Sequence, residues 1–171
     1  RRRSGLLNQA MEAALNEQIK EELSSAYTYL GMAAYCEWSN YPGMAHWLKV
    51  QAREELEHAM KLYRYVNDRG GKVALKALPQ PSAQYDSLVA LFEQVLAHEQ
   101  KITSMIHNLY GLAMEQKDYG SIPLLQWFID EQVEEEKSAS DVLSMVKMAG
   151  NSPQALMLLD RELAQREAAA E

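Results

Sequence analysis

Hydrophobic residues recur at alternating steps of three and four through four long stretches of this sequence, which is the spacing of amphipathic α-helices. Glycine and proline, which interrupt helices, are sparse and fall in clusters between those stretches. Gly70 and Gly150 suit carboxyl-terminal helix caps, and Pro123 and Pro153 suit first-turn positions. The pattern predicts an all-α chain of four long helices and a short fifth one, over residues 6–38, 43–69, 85–117, 122–149 and 153–166.

The connection between the second and third helices decides the predicted topology. The other connections within the bundle are short and force antiparallel neighbours, whereas this one has about 14 residues. A helix of about 27 residues is roughly 40 Å long, and about 14 extended residues reach roughly 46 Å. The connection can therefore traverse the bundle. We predict a four-helix bundle with parallel middle helices and a long crossover between helices two and three.

Composition bounds the size and setting of the protein. With 171 residues, of which 47% are hydrophobic, the chain is long enough for one sizeable core. We expect a single domain over residues 1–171, with the bundle at 6–149 and the fifth helix at 153–166. Cys36 is the only cysteine, so the chain can form no disulfide within itself and has no CxxC metal pair. A reducing, cytoplasmic setting fits this best.

Charge and hydropathy disfavour two classes of partner. The net charge of -7 argues against a phosphate-binding surface. The basic run at residues 1–3 is interpreted as a solvated tail. No apolar run approaches the roughly 20 residues that cross a bilayer. We therefore expect neither nucleic acid nor a membrane as a partner.

Each of the four long apolar stripes carries a glutamate near its centre. Because these glutamates lie close to the midpoints of their helices, they fall at the same height whichever way each helix runs. His58 flanks the same face of the second helix one turn after its glutamate. The predicted meeting of the four glutamates therefore does not depend on the predicted topology. The four residues are Glu22, Glu55, Glu99 and Glu135.

Converging carboxylates in a water-poor core need an opposite charge, since they repel one another and lose hydration. No lysine or arginine occupies the central part of these stripes. A bound cation is the simplest remedy, and oxygen ligands with one imidazole suit iron, manganese or zinc. A lone Glu-x-x-His such as Glu55 to His58, or the run Glu134 to Glu136, is usually a solvated helix face. Four glutamates centred on apolar stripes are much harder to explain in that way.

The remaining polar and aromatic candidates leave alternatives open. Tyr29 lies on the stripe of Glu22, so it either touches the metal site or is a buried structural tyrosine. His46, His98 and His107 stand alone and are interpreted as ordinary surface or capped residues.

At these residues the chain resembles the non-haem prokaryotic ferritins, and the resemblance runs over nearly all of it. The motifs that carry it are Leu15-Asn16-Glu17-Gln18, Glu54-Glu55-Leu56-Glu57-His58, Asp130-Glu131-Gln132-Val133-Glu134-Glu135-Glu136 and Leu159-Asp160-Arg161-Glu162-Leu163.

The resemblance implies roles for individual residues. Glu22, Glu55 and His58 would bind a first iron, with Glu55 bridging to a second. Glu99 and Glu135 would hold the second iron, with Gln132 close by. The predicted catalytic set is completed by Tyr29. The resemblance also matches three further residues to a third iron site that some prokaryotic ferritins have, namely Glu54, Glu131 and Glu134.

Two departures from related families refine that expectation. Helix four offers Ser138 where bacterioferritins and di-iron oxygenases carry a second Glu-x-x-His, so the two metal positions are unequal. Unequal positions suit iron turnover better than a permanently held cofactor. Leu56 stands where bacterioferritin has its haem-ligating methionine, so no haem is expected.

The resemblance implies a ferroxidase that serves iron storage and detoxification. Fe(II) is the substrate, dioxygen or peroxide the oxidant, and hydrated ferric oxide the product, deposited in a shell of 24 subunits. The fifth helix would pack at subunit contacts, or else dock on its own bundle. Two other functions stay open: a di-iron peroxidase or oxygenase acting on another substrate, and an assembly or metal-sensing bundle without turnover.

Overall fold

A computed structural model describes residues 6–168, and the predicted solvated tail at residues 1–3 lies outside them. The described residues form five α-helices and no strand, which confirms the all-α prediction. Each helix begins and ends within three residues of its predicted boundaries. The helices are α1 (Gln9–Trp38), α2 (Pro42–Asp68), α3 (Leu88–Glu115), α4 (Ile122–Ala149) and α5 (Pro153–Leu163), with a 3-10 turn at Tyr119–Ser121 before α4.

Local sequence explains where the helices begin and end. Asn8 caps α1 because its side chain accepts a hydrogen bond from Met11 N at 2.9 Å. Ser87 and Ser152 cap α3 and α5 in the same way. At the other end of α4, Gly150 takes a φ of 55°, in the left-handed region that glycine tolerates best. The predicted cap at Gly150 is thereby confirmed.

The connection between α2 and α3, residues 69–87, runs alongside α1 from one end of the bundle to the other. It begins near the start of α1, where Asn16 Nδ2 donates to Lys72 O at 2.9 Å and Ala74 N donates to Asn16 Oδ1 at 2.8 Å. It finishes near the end of α1, where the Tyr35 hydroxyl donates to Tyr85 O at 3.2 Å. Helices α2 and α3 therefore run parallel, and the predicted crossover is confirmed.

Two apolar clusters fill the bundle on either side of a polar layer. One includes Leu48 and Phe92, and the other includes Leu15 and Phe128. Along each of α1 to α4, the central glutamate falls between residues of one cluster and residues of the other. The layer therefore has apolar packing above and below it. Its buried polar members include Gln18, Glu22, Gln51, Glu55, His58, Glu99, Gln132 and Glu135.

Helix α5 docks on its own bundle. Leu159 and Leu163 are buried in the core beside α2 and α4. The Asp160 carboxylate accepts hydrogen bonds from Gly43 N at 3.0 Å and from Met44 N at 2.8 Å, so it caps the first turn of α2. The opposite face of α5 leaves Leu158 exposed. The buried face of α5 therefore agrees with the alternative in which this helix docks on its own bundle.

None of the helices within residues 6–168 is both long enough and apolar enough to cross a bilayer.

Candidate metal centre

The four central glutamates are buried where α1 to α4 meet. Each helix turns its glutamate inward because the residue lies on the same face as the apolar positions one turn before and after it. Glutamate is almost never buried this deeply without a partner of opposite charge. Their exposed fractions are 0% for Glu22, 1% for Glu55, 1% for Glu99 and 5% for Glu135.

The first group of possible ligands joins α1 to α2. His58 Nδ1 lies 3.9 Å from Glu22 Oε2 and 3.7 Å from Glu55 Oε2. These three atoms are the buried side-chain nitrogen and oxygen atoms that lack a hydrogen-bond partner within residues 6–168. Orphaned buried polar atoms are rare because each forfeits its hydration. Three that face one another fit a cation that would accept all of them as ligands.

The second group joins α2 to α3 and α4. Glu55, Glu99 and Glu135 each offer one carboxylate oxygen, and these oxygens lie within 4.8 Å of one another. Glu55 belongs to both groups, so a single side chain links the two positions. The second position has carboxylates only. Ser138, where a second histidine would stand, is exposed.

Tyr29 and Gln132 both contact Glu99. The Tyr29 hydroxyl donates a hydrogen bond to Glu99 Oε1. Gln132 Nε2 lies 3.2 Å from Glu99 Oε2 and 3.2 Å from the backbone oxygen of the same residue. Gln132 therefore approaches the site with a donor nitrogen, which orients the Glu99 carboxylate. A role for Gln132 as a metal ligand stays a prediction.

Gln51 belongs to the site, although the sequence reasoning missed it. It is 1% exposed. Its Nε2 donates to Glu135 Oε2 at 2.6 Å and also lies 3.3 Å from Glu55 Oε1 and from Glu99 Oε1. A signal for it was present, because Gln18 stands four residues before Glu22, just as Gln51 stands four residues before Glu55. Gln18 Nε2 donates to Glu22 Oε1 at 2.9 Å.

The three residues matched to a third iron site are not brought together. Glu54 Oε2 is paired with Arg166 at 2.8 Å. Glu131 Oε1 lies 3.8 Å from His58 Nε2, and Glu131 groups with His58 and Glu135 as a possible ligand. Glu134 is exposed. A third iron site formed by these residues stays a prediction.

Burial and mutual repulsion favour the protonated form of several site carboxyls. Burial raises the pKa of Glu22, and the charge of Glu55 raises it further. The pKa of Glu55 is raised by burial and then by the charge of Glu99. The same two causes raise the pKa of Glu135 to about 8. Metal-free protein thus holds protons that a bound cation would displace.

His58 and Glu131 respond to each other. Burial alone would lower the pKa of His58, but Glu131 and the charge of Glu22 outweigh it and leave that pKa above its usual value. In return, His58 lowers the pKa of Glu131. The imidazole therefore has an acidic neighbour 3.8 Å from its Nε2 and the first metal position on its Nδ1 side.

Of the two interpretations of His98, as a surface residue or as a capped one, the structure does not support the first. Its side chain is half-buried, and His98 Nε2 forms a hydrogen bond with Ser25 Oγ at 2.6 Å. Its ring also meets that of Tyr29 edge-on, with 5.6 Å between centroids. Burial lowers the pKa of His98, which favours the neutral imidazole. The helical stripe gave no sign of this contact because His98 flanks the stripe.

The family model of the ferritin-like domain matches residues 12–149 of this chain. Curated relatives include the bacterial non-heme ferritin of Staphylococcus saprophyticus, which is 40% identical over 94% of this chain and 96% of its own length. The bacterial non-heme ferritin of Staphylococcus aureus strain NCTC 8325 is 37% identical, over 94% of this chain and 97% of its own length.

Solved structures agree with the sequence comparison. An open pore ferritin from the archaeon Archaeoglobus fulgidus superposes with a TM-score of 0.93 at 43% identity, covering 94% of this chain and 98% of that one. A closed form of the same ferritin, engineered by site-directed mutagenesis, superposes with a TM-score of 0.94 at 43% identity, covering 95% and 99%.

Proposed function

This chain belongs to the ferritin family, and from that premise we propose that it is a ferroxidase that oxidises Fe(II) at the candidate metal centre and stores the ferric product. The observation that carries the proposal is the meeting of Glu22 Oε2, Glu55 Oε2 and His58 Nδ1 without hydrogen-bond partners among the described residues. Two carboxylate oxygens and one imidazole nitrogen are suitable ligands for Fe(II).

Each side chain has a part in binding the substrate. Glu22 and His58 hold one Fe(II), Glu99 and Glu135 hold another, and Glu55 is shared between them. Two Fe(II) ions held side by side supply electrons to one molecule of dioxygen or peroxide. The protein contributes proximity and charge, because one oxidant meets both reductants at once.

Proton transfer accompanies binding of the substrate. Glu135 has a pKa raised to about 8, so it carries a proton near neutral pH when no metal is bound. A carboxyl must lose that proton to become a ligand. Fe(II) binding therefore releases protons from the carboxyls. The negative charge left on each buried carboxylate is then balanced by the bound cation.

The difference between the two positions favours turnover. The first position includes an imidazole, and the second has three carboxylates alone. A site with one weaker position releases its oxidised product more readily than a closed, symmetric site. The peroxidase or oxygenase alternative requires permanently held iron, which this arrangement does not favour.

Storage needs a shell, and we propose a homo-oligomer of 24 subunits. Support within one subunit comes from large apolar residues that lie exposed and that contacts between subunits would bury. Trp38 is 78% exposed and Leu158 is 66% exposed. Burial of Leu158 between subunits would place α5 at a subunit contact, which is the other role predicted for this helix. A cytoplasmic location and the absence of haem, nucleic-acid and membrane partners stay predictions.

Iron loading combined with size-exclusion chromatography tests the proposal. Metal-free protein receives Fe(II) under air, while oxygen consumption and the ferric absorbance are followed. We expect a fast phase of two Fe(II) per subunit, then slower mineral growth in a particle of several hundred kilodaltons built from 19.4 kDa subunits. A monomer or dimer with constant, tightly held iron would support a di-iron redox enzyme. No oxygen consumption would support a sensing or assembly bundle.

A further inference from the structure

One arginine connects the segment after α5 to the metal centre. Arg166 Nη1 donates to Trp47 O at 3.1 Å, and Nη2 donates to Gln51 Oε1 and Glu54 Oε2, both at 2.8 Å. The guanidinium also lies over the Trp47 ring, 4.4 Å from its centroid. His46 Nε2 donates to the backbone oxygen of Arg166 at 2.8 Å. Arg166 is therefore fixed along two turns of α2, and its side chain is only 17% exposed.

Contacts with both ends of the Gln51 side-chain amide favour one orientation of that amide. A guanidinium can only donate hydrogen bonds, so Arg166 requires the amide oxygen of Gln51 on its side. A carboxylate that has lost its proton to bind metal can only accept, so the glutamates of the metal-loaded site require the amide nitrogen on theirs. A flipped amide would place an oxygen against Glu135 Oε2 at 2.6 Å and a nitrogen against the guanidinium. Both contacts would then be repulsive.

We propose that Arg166 is a positioning residue of the iron site, acting through Gln51. Arg166 holds the amide oxygen, and the amide nitrogen then orders the carboxylates of Glu135, Glu55 and Glu99 for metal binding. The inference rests on the proposed function, because it takes those carboxylates to be ligands of the substrate. It adds that the segment after α5, outside the four-helix bundle, takes part in shaping the site.

A titration of metal-free protein with Co(II), without oxidant, measures the effect of Arg166. We expect Arg166→Gln to weaken binding of the second Co(II) equivalent about tenfold, the lower end of the loss seen when outer-shell partners are removed. Arg161→Gln is the matched control, since it removes the same charge from an exposed position on α5. The control should bind Co(II) as the wild-type protein does. Equal weakening in both variants would overturn the proposal.

A double-mutant cycle tests whether the effect passes through Gln51. In a Gln51→Leu background, Arg166→Gln should cause no further loss of Co(II) affinity. A further tenfold loss in that background would show that Arg166 acts through its charge or through Glu54, and the proposal would be wrong. Arg166→Lys gives the same test without Gln51→Leu: it keeps the charge but not the planar fork. We expect its affinity to stay low, and full recovery would overturn the proposal.

Coupling between two sites is reciprocal, so metal binding should also affect the segment. Co(II) should slow backbone amide hydrogen exchange over residues 163–168 in wild-type protein but not in Gln51→Leu. Unchanged exchange in the wild-type protein would contradict the coupling. Different results would contradict the two proposals. If the wild-type protein bound no Co(II), the proposed function would be wrong. Normal binding by both the wild-type protein and Arg166→Gln removes only this inference.

Discussion

Tyr29 on α1 donates its hydroxyl hydrogen to Glu99 Oε1 on α3, so the two residues join helices that are separated in sequence by the whole of α2. Both residues are buried, at 0% and 1% exposure. Burial, followed by the charge of Glu99, raises the pKa of Tyr29 well above its usual value. The phenol therefore stays protonated and remains a donor. Of the two interpretations that the sequence left open for Tyr29, contact with the site is the one the geometry supports.

Tyr29→Phe removes this donor without changing the shape of the ring. Hydrogen bonds to charged groups contribute about 1.5–3 kcal/mol, and Gln51 still reaches the same oxygen, so we expect a loss of about 1.5 kcal/mol from the free energy of unfolding. Tyr35→Phe is the control, because its hydroxyl donates to an uncharged backbone oxygen. Urea unfolding of the metal-free variants measures both losses. A larger loss in the control would contradict the expectation.

The stability of the metal-free protein should fall as pH rises. Glu135 has a pKa of about 8 when folded and an ordinary value of 4.5 when unfolded, so the folded state binds more protons between these values. Its contribution is complete below about pH 4.5 and is lost as pH rises through about 8. The raised pKa of His58 acts in the same direction. Urea unfolding across this range should show the decline.

Glu135→Gln should make that pH profile less steep, because its amide does not titrate. Glu115→Gln, at an exposed position on α3, should leave the slope unchanged. Excess Co(II) should reverse the trend in the wild-type protein, since the metal requires deprotonated carboxyls. A flat profile for metal-free wild-type protein would mean that the carboxyls ionise as easily in the core as in the unfolded chain.

Helical periodicity predicted the elements and the four glutamates well, for a physical reason. The position of Glu99 relative to Val95 and Ile102 follows from 3.6 residues per turn, whatever the rest of the chain does. The crossover followed from chain length alone, because about 14 residues can span roughly 40 Å. One prediction rests on helix geometry and the other on the length that a chain segment can span. Both can be obtained from a single sequence.

The contacts that were missed join distant parts of the chain. Gln51 lies beside the stripe of α2, and its orientation is set by Arg166, which the docking of α5 brings near. The same arginine pairs with Glu54, so a residue matched to a third iron site has a different partner. Spacing within one helix cannot predict such pairs, because they depend on how a separate helix packs.

Glu55→Gln should abolish rapid Fe(II) oxidation without destabilising the metal-free protein. The variant keeps the size of the side chain but removes the ligand shared by both metal positions. It also removes a buried acid whose ionisation is opposed by burial and by Glu99, so the free energy of unfolding should stay equal or rise. Stopped-flow absorbance of the ferric product and urea unfolding measure the two effects.

Glu57→Gln is the control for that experiment, since Glu57 lies exposed on the same helix. It should oxidise Fe(II) at the wild-type rate. Rapid oxidation by Glu55→Gln, or loss of its fold with normal oxidation in the surviving fraction, would contradict the assignment of Glu55 as the shared ligand.

Two glycine-to-alanine changes should have opposite effects on stability. A Cβ on Gly43 would lie 1.7 Å from the backbone oxygen of Asp160, so α5 would have to move away from α2. A Cβ on Gly111 would meet no atom within 4 Å, and alanine in a helix is more stable than glycine by roughly 0.5–1 kcal/mol. Gly111→Ala should therefore raise the unfolding midpoint. Gly43→Ala should lower it and speed hydrogen exchange over residues 153–168.

The same displacement should reach the metal centre, because α5 and Arg166 are consecutive in the chain. When α5 moves, Asp160 loses its bonds to Gly43 N and Met44 N, and Arg166 can no longer remain on Gln51. Gly43→Ala should then bind the second Co(II) more weakly, as Arg166→Gln does, while Gly111→Ala binds it normally. If Gly43→Ala loosened α5 but bound Co(II) with unchanged affinity, the position of α5 and the order of the site would be independent.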